Sequence, residues 1–293
     1  MITLFKFGSC LSSWIPQLIL AVIAHAAGTI VFWLMPRVRR NTIANMAVVL
    51  DLEESHPKVR ALARRSVVEF ATHIIDFLHG FRQTHQALAD RTISIEGYEN
   101  FKALHEMRRG GIMISAHFGN WEWCGGLVSL DHRTNVVAET MRSRSFTAML
   151  GHVRGKLNLH SIQLGNAARD QVGNAAREML RALRRGEYVA LLADRPTPGE
   201  GVRVEFFGQP AWVPEGAAAL AHRADSPLMV GGVTRNPDGT YTAHAMPPIV
   251  WDRDEPRDQA VQRAMQQVMC DLETLIRKAP EQWYMFRPMW EGV

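Results

Sequence analysis

The 293-residue sequence contains few cysteines and no strong excess of charge of either sign. Its three cysteines, Cys10, Cys124 and Cys270, include no close pair, which argues against a disulfide framework and a zinc ribbon. Lysine and arginine exceed aspartate and glutamate by only four, too few to indicate binding to nucleic acid. The mild positive balance instead favours contact with anionic lipid or with an acidic carrier protein.

Several familiar catalytic motifs are also missing. The sequence contains no G-x-S-x-G serine elbow, no P-loop, no G-x-G-x-x-G fingerprint and no H-E-x-x-H metal motif. Metal-ligating residue types are present but are not clustered along the chain. We therefore expect neither a metal site nor a bound cofactor.

The first fifty residues differ from the rest because they contain no aspartate or glutamate. From Trp14 to Met35 the chain is almost wholly apolar, and its length matches the roughly 20 residues of a spanning helix. Tryptophans lie near both ends of this stretch, and the basic segment 37–40 follows it, as is typical of a cytoplasmic boundary. We predict that residues 1–45 anchor the protein to a membrane, by spanning it or by lying in its interface.

Two other interpretations of this apolar stretch remain. It also fits a buried helix of a soluble core. Ala24-His25-Ala26 resembles a cleavage site, so the stretch also fits a signal peptide, although the apolar run continues beyond that point.

Short apolar runs alternate with amphipathic segments from residue 46 onward. The predicted strands are 92–96, 112–116, 136–138, 161–164, 188–193, 228–234 and 241–245, and the long predicted helices include 57–79 and 256–278. This alternation predicts an α/β domain over residues 46–293, with a mostly parallel central sheet flanked by helices.

The candidate catalytic residues follow one of these strands. The buried strand ends at Ala116, and His117 lies directly after it, where α/β proteins bind their ligands. Gly119 and Asn120 supply a bend and a helix N-cap, so Glu122 falls in the first helical turn. Across this bend, Glu122 is expected to bind one ring nitrogen of His117 and leave the other to accept a proton. A purely structural interpretation also fits, in which Glu122 only stabilises the helix dipole.

The string His117-Phe-Gly-Asn-Trp-Glu122 resembles the H-x4-D/E signature of the lysophospholipid acyltransferase superfamily. It is more similar still to the lipid A biosynthesis acyltransferases, a family that includes the phosphatidylinositol mannoside acyltransferases. Segments resembling other motifs of that family follow the expected order: 96–100, 193–196, 204–210 and 280–283. The resemblance therefore covers nearly the whole chain.

This resemblance implies a membrane-associated O-acyltransferase on the cytoplasmic face of the cell inner membrane. The implied reaction moves a fatty acyl group from acyl-ACP or acyl-CoA to a hydroxyl of a glycolipid or lipid A-type acceptor. His117 would be the general base, and Glu122 would orient its imidazole. The backbone N–H of Trp121 and the side chain of Asn120 would stabilise the oxyanion.

Three further residues are expected to bind substrate because they match the family's segments. Arg154 matches an arginine that would bind a phosphate or hold the acyl donor, and Asp194 and Arg195 follow a buried strand. Two other functions remain open for the same residues. One is a non-catalytic lipid-binding membrane protein, and the other is an acyl-thioester hydrolase.

Overall fold

The computed structural model describes residues 15, 17–79, 85–139, 143–164, 169–197 and 199–290. The described helices are α1 (Gln17–Leu34), α2 (Pro36–Leu50), α3 (Pro57–His79), α4 (His85–Arg91), α5 (Tyr98–Glu106), α6 (Trp121–Val128), α7 (Arg144–Lys156), α8 (Arg169–Arg184), α9 (Gly216–Ala224) and α10 (Arg257–Lys278). A short 3-10 helix, Pro280–Gln282, follows α10.

The strands form one large sheet and one hairpin within the described part of the chain. They are β1 (Thr92–Glu96), β2 (Gly111–Ser115), β3 (Thr134–Glu139), β4 (Leu159–Leu164), β5 (Tyr188–Leu192), β6 (Val202–Phe206), β7 (Gln209–Val213), β8 (Leu228–Arg235) and β9 (Tyr241–Ala245). The sheet has seven strands in the order β1-β9-β8-β2-β5-β3-β4, and each pairing is parallel except β8 with β9. The predicted α/β class with a mostly parallel sheet is confirmed.

Strand β2 is buried along its whole length, as its apolar run predicts. It lies between β5 and β8, and both neighbours run parallel to it. Ser115 of β2 is opposite Leu192 of β5 in this register. The residues that follow these two strands therefore leave the sheet side by side at the same edge.

Residues 202–213 form a hairpin that is not among the strands predicted from the sequence. Strands β6 and β7 pair antiparallel, and the turn between them consists of Phe207 and Gly208. Both turn residues have positive φ angles, 52° and 71°, as a two-residue hairpin turn of type I′ requires.

The N-terminal helices pack against the rest of the protein at a point of close approach. A β-carbon added to Gly28 of α1 would lie 2.6 Å from the Cα of Val68 in α3, so only glycine allows this contact. No single described helix is both long and apolar enough to cross a membrane. Residues 19–34 and helix α2 meet that test together, but a bend of 96° separates them.

Helix α2 packs against the segment that follows the 3-10 helix Pro280–Gln282. The Asn45 amide donates hydrogen bonds of 2.8 Å to the backbone oxygens of Met285 and Arg287. The boundary predicted at residue 45 therefore lies inside a helix. The division of roles between residues 1–45 and 46–293 stays a prediction.

Candidate active site

The His117 imidazole is held by a carboxylate from the neighbouring strand. Its Nδ1 lies 2.8 Å from Oδ1 of Asp194, and its backbone N–H donates to Oδ2 over 2.9 Å. The indole N–H of Trp283 also donates to Oδ2, over 3.0 Å. Because Ser115 is opposite Leu192, His117 and Asp194 each lie two residues beyond a paired position.

The contact with Asp194 determines which ring nitrogen of His117 is available for chemistry. Asp194 is completely buried, which raises the pKa of its carboxyl group, but the charge of His117 and the hydrogen bonds from His117 and Trp283 outweigh this effect. The pKa of Asp194 therefore lies below its usual value, and the carboxylate is an acceptor only. Nδ1 consequently carries a proton in this pair, and Nε2 is the nitrogen that can accept one.

The bend after His117 depends on Gly119. Its φ angle is +55°, and an added β-carbon would lie 1.9 Å from the backbone oxygen of Val233. Asn120 then caps α6, since its side-chain oxygen accepts a 3.1 Å hydrogen bond from the backbone N–H of Trp123. The predicted bend and N-cap are both present.

Glu122 does not make the predicted contact with His117, and this expectation is corrected. Both of its carboxylate oxygens bind Arg154 of α7, at 3.1 Å from Nε and 2.6 Å from Nη2. Each of the two side chains is 8% exposed, so they form a buried bidentate pair. The bend carries Glu122 towards α7, while the carboxylate that binds His117 comes from the end of β5.

An aromatic wall lies beside His117. The ring centroid of Trp121 is 5.6 Å from that of His117 and 4.2 Å from that of His73 in α3. Burial, together with the charge of His117, lowers the pKa of His73 to about 3, so this second imidazole is neutral at physiological pH. The backbone N–H of Tyr284 donates to the backbone oxygen of His117 over 2.7 Å, which holds Tyr284 next to this wall.

A mainly apolar cavity opens next to this wall. Its volume is about 70 Å³, and it is partly open to solvent. The cavity lies between one face of the sheet and helices α6 and α7. Its lining includes Trp121, Glu122 and Arg154 together with apolar and small residues: Met113, Ile114, Cys124, Gly125, Val128, Val136, Val137, Leu159, Ala190, Leu191, Leu192 and Gly231.

The predicted site residues thus form two connected groups. His117 and Asp194 form one pair at the sheet edge, and Glu122 and Arg154 form another in the cavity wall. Asn120 joins them as the N-cap of α6, and partly buried Arg195 follows Asp194 in the loop after β5. Within the described residues, no group of three or more His, Cys, Asp or Glu side chains is placed to hold a metal ion.

Two residues of the site were not predicted from the sequence. Trp283 belongs to the motif-like segment 280–283, but nothing local indicated that its indole N–H binds Asp194. His73 lies within the predicted helix 57–79 among apolar residues, a pattern typical of core packing. Its position behind Trp121 depends on how α3 packs against α6.

Comparison with known proteins gives matches over most of the chain. The profile of the family described as bacterial lipid A biosynthesis acyltransferase matches residues 4–291. A phosphatidylinositol mannoside acyltransferase of Mycobacterium tuberculosis is 29% identical over 149 residues, which are 50% of this chain and 45% of that relative. The chain therefore matches about half the length of that relative.

Two further matches are more distant. A phosphatidylinositol mannoside acyltransferase of Mycolicibacterium smegmatis is 24% identical over 231 residues, 78% of this chain and 72% of the relative. Among solved structures, the 1-acyl-sn-glycerophosphate acyltransferase of Thermotoga maritima is 15% identical. That match covers 86% of this chain and 97% of the other, with a TM-score of 0.39.

Proposed function

We propose that this chain, which belongs to the bacterial lipid A biosynthesis acyltransferase family, is an acyltransferase that moves an acyl group from a thioester to a hydroxyl of a glycolipid. Candidate acceptors are a lipid A precursor and a mannosylated phosphoinositide, the latter suggested by the names of the mycobacterial relatives. Acyl-ACP and acyl-CoA are the candidate donors. The observation that carries the proposal is the His117–Asp194 pair beside an apolar cavity.

In the proposed reaction His117 acts as a general base. Its Nε2 takes the proton of the acceptor hydroxyl while that oxygen attacks the thioester carbonyl carbon and forms the new C–O bond. Asp194 holds the imidazole through Nδ1 and stabilises its charged form. The C–S bond then breaks, and Nε2 returns the proton to the departing sulfur. The products are an ester and a thiol, and the reaction as written needs no cofactor.

The oxyanion of the tetrahedral intermediate requires hydrogen-bond donors close to His117. The backbone N–H groups of Trp121 and Glu122 begin α6 and have no partner within the described part of the chain. The Asn120 side-chain oxygen is an acceptor and already accepts a hydrogen bond from the backbone N–H of Trp123. We therefore assign the oxyanion to the two backbone groups.

The Glu122–Arg154 pair allows the N–H groups at the start of α6 to stabilise the oxyanion. A free carboxylate in the first turn of α6 would oppose a developing negative charge nearby. Arg154 neutralises that carboxylate with two hydrogen bonds. This role replaces the contact between Glu122 and His117 that the sequence predicted, and it makes Arg154 a supporting residue of the site.

The cavity is suited to the alkyl chain of the donor. Its lining is mostly apolar, and it adjoins Trp121, which contacts the His117 ring. Burial of each methylene group contributes about 0.8 kcal/mol, so each carbon of the acyl chain that enters this apolar cavity strengthens binding. We also propose that Arg195, which follows Asp194 in the loop after β5, contacts the polar part of a substrate.

We also propose that α1 binds the cytoplasmic face of the inner membrane. Its outer side exposes large apolar residues: Ile19, Val22, Ile23, Ile30, Val31, Trp33 and Leu34. Exposed Met35 follows directly after the helix. Arg37, Arg39 and Arg40 follow, and the Arg39 guanidinium lies 5.5 Å from the centre of the Trp33 ring. An apolar face beside cations suits an anionic bilayer surface.

The acyltransferase proposal is tested with radiolabelled acyl thioesters and a panel of glycolipid acceptors. Wild-type protein should transfer label to the lipid, and His117→Ala should abolish transfer while the fold, followed by circular dichroism, is retained. Label released as free acid at one rate with or without acceptor would identify a hydrolase. No turnover with any donor, despite donor binding, would favour a lipid-binding protein.

The membrane proposal is tested by flotation with vesicles that contain phosphatidylglycerol. The doubly substituted Trp33→Asp/Leu34→Asp protein should lose most of its flotation. Val250→Asp changes an exposed apolar residue outside α1 and should leave it unaltered. Equal flotation of all three proteins would show that α1 is not the binding surface.

A further inference from the structure

Ser115 places an unpaired hydroxyl in the wall of the apolar cavity. It is the last residue of β2, is only 7% exposed, and lines the cavity with Glu122 and Arg154. Its Oγ is buried and has no hydrogen-bond partner among the described residues. Because burial removes water from a hydroxyl, native proteins seldom leave one unpaired without a functional reason.

The short separation of Ser115 and His117 along the polypeptide indicates which part of the substrate the Ser115 hydroxyl contacts. Ser115 precedes His117 by two residues, so their Cα atoms are at most roughly 7 Å apart. The thioester carbonyl must lie at the acceptor oxygen that His117 deprotonates. An acyl chain that runs from there into the cavity passes Ser115 with its first few carbons.

The carbonyl oxygen itself has other donors. The N–H groups of Trp121 and Glu122 at the start of α6 serve the oxyanion in the proposed reaction, which leaves the Ser115 hydroxyl for a different polar group. A serine hydroxyl both donates and accepts, so its natural match is another hydroxyl. The remaining lining is mostly apolar and suits a hydrocarbon tail.

We propose that Ser115 determines donor specificity by binding a hydroxyl group on the acyl chain close to the thioester. The favoured donor class is then the β-hydroxyacyl thioesters, rather than plain saturated ones. This inference rests on the proposed acyltransferase function. Ser115 recognises the acyl chain of the donor and takes no part in proton transfer.

The experiment is an internal competition between two donors of equal length. Dodecanoyl-CoA and β-hydroxydodecanoyl-CoA are mixed in equal amounts with an acceptor glycolipid, and mass spectrometry of the product lipids gives the ratio of the two kcat/KM values. The same pair is run on acyl carrier protein. Wild-type protein should favour the hydroxylated chain by roughly tenfold or more, as expected for a site built around a substrate hydroxyl.

Ser115→Ala should bring that ratio close to one while the rate with the plain chain stays equal or rises. Ser115→Thr retains a hydroxyl and should keep part of the preference. Val128→Ala is the matched control, because it changes the same cavity without changing its polarity and should not alter the ratio.

Three results would overturn the proposal. The first is an unchanged ratio in Ser115→Ala, as expected if a water molecule satisfies the hydroxyl in both complexes. The second is an equal loss of rate with both donors, which would place Ser115 at the thioester carbonyl. The third is a wild-type protein that does not favour the hydroxylated chain.

Failure of the proposed function is recognised separately. If no acceptor in the panel is acylated, binding of the two chains as non-hydrolysable thioethers of CoA is measured by calorimetry. A preference for the hydroxylated thioether that disappears in Ser115→Ala would still support the role of Ser115. Equal binding of both thioethers to wild-type protein would contradict it.

Discussion

Nδ1 of His117 lies 2.8 Å from Oδ1 of Asp194, a residue 77 positions further along the chain. The two residues meet because β2 and β5 are parallel neighbours in register, and each residue lies two positions beyond a paired residue. Asp194 also accepts the indole N–H of Trp283, so the carboxylate cannot rotate freely away from the imidazole. The orientation of the proposed base is therefore determined by three separate segments of the chain.

Asp194→Asn should reduce kcat by roughly a hundredfold to ten-thousandfold. The amide retains the shape of the carboxylate, but it can offer an N–H to Nδ1, which favours the wrong tautomer of His117 and leaves the imidazolium without a countercharge. Steady-state acyl transfer measures the effect, and circular dichroism verifies the fold. Asp258→Asn is the control, because that side chain is 89% exposed. Near wild-type turnover of Asp194→Asn would remove Asp194 from the mechanism.

Substitution of Glu122 should act mainly on stability. Glu122→Leu or Arg154→Met alone leaves a buried charge unpaired and should cost about 3–5 kcal/mol of unfolding free energy. The double substitution Glu122→Leu/Arg154→Met should cost much less than the sum of the two. Denaturant unfolding of the four proteins gives the coupling energy.

The same double variant distinguishes the two carboxylates as partners of His117. It should retain measurable acyl transfer, since Asp194 still holds the imidazole. A fully inactive but folded double variant would instead indicate a direct role for Glu122 in catalysis. Arg257→Ala, at a pair on the surface, should change stability by less than about 1 kcal/mol and serves as the reference.

Gly119→Ala should destroy the site geometry. The new β-carbon would collide with the backbone oxygen of Val233, so the turn between β2 and α6 must move. Gly186→Ala provides a matched comparison, because Gly186 also has a positive φ angle but open space around it. That control should cost about 1–2 kcal/mol of stability and keep its activity. If Gly119→Ala and Gly186→Ala lose stability and activity to the same extent, the strain of a positive φ angle explains the loss and the collision with Val233 does not.

The stability of the protein should depend on pH through His73. Its pKa is about 3 in the folded protein and 6.5 when unfolded, so the unfolded chain binds a proton more readily. The stabilisation is fully present above pH 6.5 and is lost progressively as the pH falls towards 3. Replacing the buried imidazole with the apolar ring in His73→Phe should flatten this part of the profile. Unfolding free energies at pH 7, 5 and 4 measure the difference.

One result of the same measurement would contradict the role of His73. A His73→Phe protein whose stability falls between pH 7 and 4 as steeply as that of wild-type protein would show that His73 is not the titrating group. Asp194 contributes in a lower range, because its pKa lies below the usual value and its stabilisation is lost only when the pH falls further.

Local patterns in the sequence were sufficient to predict much of the fold. The three- and four-residue spacing of apolar side chains predicted helix Pro57–His79 at both ends, and the buried run 112–116 predicted β2 to within one residue. The bend at Gly119 and the cap at Asn120 were also predicted. These features depend on residues that are close together along the chain, where backbone sterics and hydrogen bonding act.

The partner of His117 was not predictable in this way. Spacing alone favoured Glu122, five residues away, because nothing local excluded it. The order of strands places β5 beside β2 although more than seventy residues separate them, and Arg154 arrives from α7 to engage Glu122. Hydrophobic patterns specify that a strand is buried, but they do not specify its neighbours.

The amino-acid sequence by itself therefore determined the α/β class, the strand that carries His117, and the glycine and asparagine that turn the chain after it. The tertiary structure alone decided that Asp194 holds the imidazole, that Glu122 and Arg154 neutralise each other, and that the Ser115 hydroxyl lines the cavity with no hydrogen-bond partner among the described residues. The physical reason is that periodicity and capping act over a few residues. The pairing of charges in a buried site depends on which distant segments the packing of the sheet brings within hydrogen-bonding distance.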